Sequence, residues 1–170
     1  LHIDEQTTWR GGEQQAFWLI EGLLSRKFTV TVIGRKKSPF IEKVKNLSGV
    51  NIFELPLSSE FDLISSWKIA KICKLAKVNI IHAHTSHAHS LSIIAKKIFR
   101  APSKVIVSRR VSFLPANNLL SKWKYNCADT ILPVSFYVSK ILIENKIPIE
   151  KIRVVRSSIN LQDLEKVEPY

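Results

Sequence analysis

The sequence predicts an α/β fold: three layers, with helices on both faces of a mainly parallel sheet of about seven strands. Three observations predict it. Short β-branched runs alternate with helical segments from one end of the chain to the other. No Gly/Pro/Ser-rich linker, internal repeat or low-complexity tract interrupts them. The 170 residues, 45% hydrophobic, suit one domain able to bury a core without disulfide staples. Strands separated by helical segments are βαβ crossovers, and these impose parallel pairing and two covered faces.

The elements follow in order. Residues 1–4 form an apolar strand, and Thr8-Trp9-Arg10-Gly11-Gly12-Glu13 turns it into a helix over 13–24. A β-branched run, 28–33, is the second strand; Ser38-Pro39 then opens a short helix to residue 46, since Ser caps and Pro suits the first turn. Strand 50–55 leads to a long amphipathic helix, 61–76, and to strand 78–82. Helix 86–99, strand 104–108, helix 119–127, strand 130–134, helix 136–144 and strand 152–155 complete the alternation.

Ligands in such sheets bind outside the carboxyl ends of the strands. The segments there are 4–13, His82-Ala-His-Thr-Ser-His-Ala-His89, Ser108-Arg109-Arg110-Val111, and Ser135 with Phe136. Gly11 and Gly12 let backbone amides approach a ligand at a helix start, where unpaired N–H groups and the dipole favour an anion. The same pair also serves a plain strand-to-helix connection. Four of the five histidines fall within eight residues, and His82 and His84 share one strand face.

Several function classes are poorly supported. His82-x-His84-x-x-His87 resembles the zinc run of metallo-β-lactamase-type hydrolases, but Ser86 stands where those enzymes carry an acid, and no histidine follows His89. No metal is expected, and Cys73 and Cys127 lie too far apart to pair as ligands. There is no G-x-S-x-G elbow, no G-x-G-x-x-G after a strand and no G-K-[ST] loop. No apolar run is long enough to span a membrane, and two scattered cysteines fit a reducing, cytoplasmic setting. The chain opens on Leu1 rather than Met, which suggests a trimmed or partial chain.

Charge is one-sided. No acid falls between Leu63 and Ala128, a stretch with twelve Lys and Arg residues, as many as the net charge of +12. Such a field attracts polyanions, anionic lipid headgroups or phosphorylated sugars, or serves only as a solvated face. No RNA-stacking or helix-turn-helix signature accompanies it, so no nucleic acid is expected.

Trp9-Arg-Gly-Gly-Glu-Gln after the first strand, Ile80-Ile-His-Ala-His84, Val105-Ile-Val-Ser108, Leu132-Pro-Val-Ser135 and Ile152-Arg-Val-Val155 together resemble the amino-terminal, Rossmann-like domain of GT-B glycosyltransferases of family four, which are retaining and use nucleotide-sugars. The resemblance implies that residues 1–160 are the acceptor-side domain, that 161–170 begin an interdomain connection, and that the donor-binding domain with its paired glutamates lies outside this chain. It implies a nucleotide-sugar as donor substrate with no cofactor, and a glycan or lipid-linked acceptor in bacterial cell-envelope or lipopolysaccharide synthesis. This half alone would not turn over.

Arg10, Gly11, Gly12, His84, His87, Arg109, Arg110 and Ser135 are the implied substrate-binding residues, with His84 and Arg110 as candidates for a catalytic role. Two departures stand out. Ser108-Arg109-Arg110 occupies the place where family members often carry a histidine, and arginine cannot act as a base but can clamp phosphate. The closing family pattern reads Arg156-Ser157-Ser158-Ile159-Asn160 here. Trp67, Phe113, Trp123 and Tyr125 lie among the cations, an arrangement suited to the anionic inner face of the plasma membrane. The competing reading is a non-catalytic Rossmann-like module that binds a phosphorylated ligand or nucleic acid through its basic face.

Overall fold

The structure, a computed structural model, describes residues 1–113, 116 and 118–159. Six parallel strands form one sheet: β1 (His2–Asp4), β2 (Val30–Gly34), β3 (Val50–Glu54), β4 (Ile80–Ala83), β5 (Lys104–Arg109) and β6 (Thr130–Pro133), in the order β3-β2-β1-β4-β5-β6. The strand order reverses between β1 and β4, which makes their carboxyl ends the binding crevice of such a sheet. The helices are α1 (Gly11–Ser25), α2 (Pro39–Val44), α3 (Leu63–Leu75), α4 (Ser86–Lys97), α5 (Leu119–Cys127) and α6 (Phe136–Glu144).

The expected seventh strand requires a correction. Residues 152–155 run beside β6 through a single Ile131–Ile152 bridge and two backbone bonds, Arg153 N–H to Ile131 and Val155 N–H to Pro133, without forming a ladder. The register continues to Val155, but Pro133 has no N–H to return the next bond to the Arg153 carbonyl, so the pairing stays a single bridge.

Strand alternation sorts the core onto two faces. On one, Ile3, Ile33, Ile81, Val105, Val107 and Ile131 pack with Ile69, Leu91 and Leu142 of α3, α4 and α6. On the other, Val30 and Val32 pack under Ala16 and Ile20 of α1 and Phe40 and Ile41 of α2. Gly34 ends β2 without a side chain because a Cβ there would come within 2.7 Å of Ile41. Over β4 to β6 this second face carries no helix among the described residues. A groove of about 1090 Å³ runs there, floored by His82, Ile106, Ser108 and Leu132 and walled by Trp18 and Leu19 of α1.

Side chains set most helix starts. Ser38, Asp62, Thr85, Asn118 and Ser135 each cap a helix by accepting an N–H from the third residue onward. Several cations sit just beyond helix ends with left-handed backbone: Lys27 (φ 62), Lys77 (φ 48), Arg100 (φ 57) and Lys146 (φ 62). Part of the positive charge therefore complements helix dipoles rather than a partner.

Candidate functional site

The site lies where β1 and β4 end. The first turn of α1 carries Gly11 and Gly12, and that of α4 carries His87, whose ring lies near Glu5 just after β1. Glu13 folds back to accept the Arg10 N–H at 2.8 Å, which fixes the α1 entry. A Cβ on Gly11 would meet nothing within 4 Å, and one on Gly12 would touch only the Arg110 Cδ at 3.9 Å. The loop is thus open in front, at a helix start whose first N–H groups lack partners within the helix and favour an anion.

Arg110 crosses this opening. Its guanidinium donates to the His84 carbonyl and to His84 Nδ1, each at 3.3 Å. Arginine can only donate, so Nδ1 accepts and the ring proton sits on Nε2, which donates to His2 Nδ1 at 2.9 Å. His82 is held separately by the Ser108 hydroxyl at 2.8 Å. Burial pushes all three imidazoles to low pKa, His82 to about 3, so they are neutral near pH 7. Their ring nitrogens lie within 4.8 Å of one another, a spacing metals use. The tautomer that Arg110 imposes, however, turns a proton rather than a lone pair of His84 toward His2.

Acids line the same crevice. Asp4 is buried; its Oδ1 accepts the Gln6 N–H at 2.9 Å and its Oδ2 has no partner among the described residues. Burial raises its pKa to about 7, with the charges of Glu13 and Glu5 adding to the shift and Arg110 opposing it. Glu5 accepts from the Thr85 hydroxyl and lies 3.9 Å from His87 Nδ1. Desolvation weakens the proton affinity of the Arg110 guanidinium, and Asp4 and Glu13 hold it charged. An arginine flanked by helix starts can bind a phosphoryl oxygen and orient it.

The residues singled out from sequence separate into two groups. Gly11, Gly12, His84 and Arg110 meet at the switch point, with His87 beside them, while Arg10 is exposed at the α1 cap. Ser135 caps α6 through Val138 N–H at the end of β6. Arg109 is not brought to this site. It follows Ser108 in β5 and so faces the opposite side of the sheet, where it donates to the Tyr125 hydroxyl at 2.8 Å and to the Phe113 carbonyl. Sequence reasoning missed His2, which meets His82 and His84 only once β1 and β4 are paired. Asn160 and residues 161–170 lie outside the described residues.

Residues 9–163 match the family model for glycosyltransferase family 4. The chain belongs to glycosyltransferase family 4. No curated protein sequence matches it. Among solved structures, HepE of Anabaena in complex with UDP superposes with a TM-score of 0.75 at 16% identity, over 99% of this chain and 46% of that one. A glycosyltransferase from Rickettsia africae gives 0.76 at 20% identity, over 99% and 45%. The lipopolysaccharide outer core galactosyltransferase WaaB gives 0.68 at 11% identity, over 93% and 45%. At these identities the likeness shows the fold, the Rossmann-like half of a GT-B glycosyltransferase. This family 4 chain spans less than half the length of the structures it matches.

Proposed function

We propose that this family 4 domain is the acceptor-side half of a nucleotide-sugar-dependent glycosyltransferase that moves a sugar to a glycan or lipid-linked acceptor, with retention of configuration, in bacterial cell-envelope or lipopolysaccharide synthesis. The reading rests most on Arg110 standing over the open Gly11-Gly12 loop at the β1/β4 switch point. Two helix starts and one guanidinium neutralise a diphosphate without a metal or other cofactor. That HepE was solved with UDP-glucose agrees with this ligand class. A donor domain would close over the crevice, and transfer requires it.

The same reading places the domain on the cytoplasmic face of the plasma membrane. No helix of the described residues is long and apolar enough to cross a membrane. Phe61, Trp67, Phe113, Leu120 and Trp123 are exposed large hydrophobics, with Lys68, Lys71 and Lys122 close to them in sequence. Tyr125 does not join them; it is buried against Arg109 and His89. Cations and half-exposed aromatics together suit an anionic leaflet.

The test is transfer from a panel of UDP-, GDP- and ADP-sugars by the enzyme carrying this domain, with Gly11→Val as the loop probe. Donor-dependent transfer that Gly11→Val removes supports the reading. A protein that binds anions but transfers no sugar overturns it.

A further inference from the structure

On the sheet face opposite the glycine loop, a second cavity of about 370 Å³ opens between α4, α5 and the residues that follow β5. Its walls join two chemistries. Phe61, Ile94, Leu120 and Trp123 make one side apolar. Arg109 and Lys124 make the other cationic, and Glu60 is the one acid among the described lining residues.

The two cations share one carboxylate, and Arg109 has no charged partner of its own. Arg109 is 8% exposed, its Nη atoms go to the Tyr125 hydroxyl and the Phe113 carbonyl, and its Nε has no partner among the described residues. Neither acceptor carries a charge. Lys124, with its side chain 12% exposed, donates to the Ser86 and Ser90 hydroxyls at 3.0 Å and to the Ser86 carbonyl at 3.2 Å, and pairs at 3.7 Å with Glu60, whose carboxylate is half in solvent. Two largely buried positive groups facing one half-exposed carboxylate cost desolvation that an anion entering the cavity would offset. The apolar wall continues outward into Leu120, 58% exposed, and Phe113, 76% exposed.

We propose that this cavity binds the phosphate of a phosphorylated apolar chain, with Arg109 and Lys124 on the phosphate and the Leu120–Trp123 wall along the chain. This rests on the acceptor-side reading above and names its acceptor class, a lipid phosphate rather than a free glycan. Glu60 competes with the ligand for Lys124 and sets a ceiling on affinity.

Farnesyl phosphate, below its micelle concentration, is the probe, titrated calorimetrically into this chain beside farnesol and inorganic phosphate. Charge-assisted bonds to phosphate and burial of the chain should each contribute about tenfold or more, so both single-chemistry compounds should bind at least about tenfold more weakly than farnesyl phosphate. Lys124→Met should weaken farnesyl phosphate by about tenfold, leaving farnesol unchanged, and Glu60→Gln, at a half-exposed position, should tighten it severalfold. Equal binding of inorganic phosphate, equal binding of farnesol, no saturable binding, or indifference to both substitutions would each overturn the proposal. Loss of this binding while Gly11→Val still stops sugar transfer would remove the lipid-phosphate site and leave the transferase reading standing.

Discussion

Arg110 fixes the tautomer of His84: it donates to Nδ1 at 3.3 Å and so leaves the proton on Nε2, which is held by His2 at 2.9 Å. Both ring nitrogens are engaged, and the low proton affinity that burial confers removes His84 from general-base work near pH 7. His84 positions the guanidinium.

If so, His84→Asn should raise KM for the donor several-fold and leave the shape of the pH–rate profile unchanged. A His84 that served as base would instead lose the acidic limb of that profile on substitution. Steady-state kinetics across pH in the enzyme carrying this domain separates the two.

Gly11 and Gly34 should respond oppositely to added side chains. Gly11 faces open space, so Gly11→Val should leave thermal stability within about 0.5 kcal/mol while blocking the anion's approach. At Gly34 a Cβ would meet Ile41 at 2.7 Å, and Gly34→Ala should cost about 1–3 kcal/mol. Thermal unfolding of both variants with nucleotide binding measured alongside checks the pair.

Stability should fall steeply in acid. His82 and His89 have folded pKa values lowered to about 3, and His2 and His84 are also lowered by burial. The unfolded chain therefore takes up more protons as pH drops below about 6.5, and the stability present above that point is lost toward pH 3. Asp4 acts in the other sense. Its folded pKa is raised to about 7, so the stability it contributes when protonated is lost as pH rises from about 4 through 7. Asp4→Asn should thus stabilise the domain at pH 8 and leave the acid loss in place, as followed by urea titrations at successive pH values.

Vesicle binding should depend on both chemistries of the exposed face. Trp123→Ser with Leu120→Ser should reduce partition onto anionic vesicles at any salt, while Lys122→Ala should cost about 1 kcal/mol at low salt and little at high salt. Sedimentation with anionic and neutral vesicles measures it; equal binding to both would refute the membrane reading.

The fold was legible because periodicity and capping agreed at nearly every element. Ser38-Pro39 announces a helix start in sequence, and Ser38 does cap one; the sequence reading assigns no cap to Thr85 and Ser135, which cap α4 and α6. Residues 152–155 have the strand pattern without the ladder, since the neighbouring Pro133 has no N–H to donate back to them. Among the candidate site residues, Gly11, Gly12, His84 and Arg110 stand at strand ends in the sequence, and the fold brings these four together. Arg109 was grouped with Arg110, yet the two-residue period of β5 already assigns it to the face of Val105 and Val107. The His2–His84 bond and the meeting of Arg109 with Lys124 depend on strand order and helix packing, which the linear pattern does not carry.

The measurement that bears most directly on the account is sugar transfer by the enzyme carrying this domain, comparing Arg110→Ala with the unaltered protein under saturating acceptor. Loss of a guanidinium that stabilises charge on the leaving diphosphate should lower turnover about 10²–10³-fold in a variant whose cooperative unfolding transition shows it to be folded at the assay temperature. Transfer at the original rate by a folded Arg110→Ala enzyme would contradict the assignment of the β1/β4 crevice as the diphosphate site.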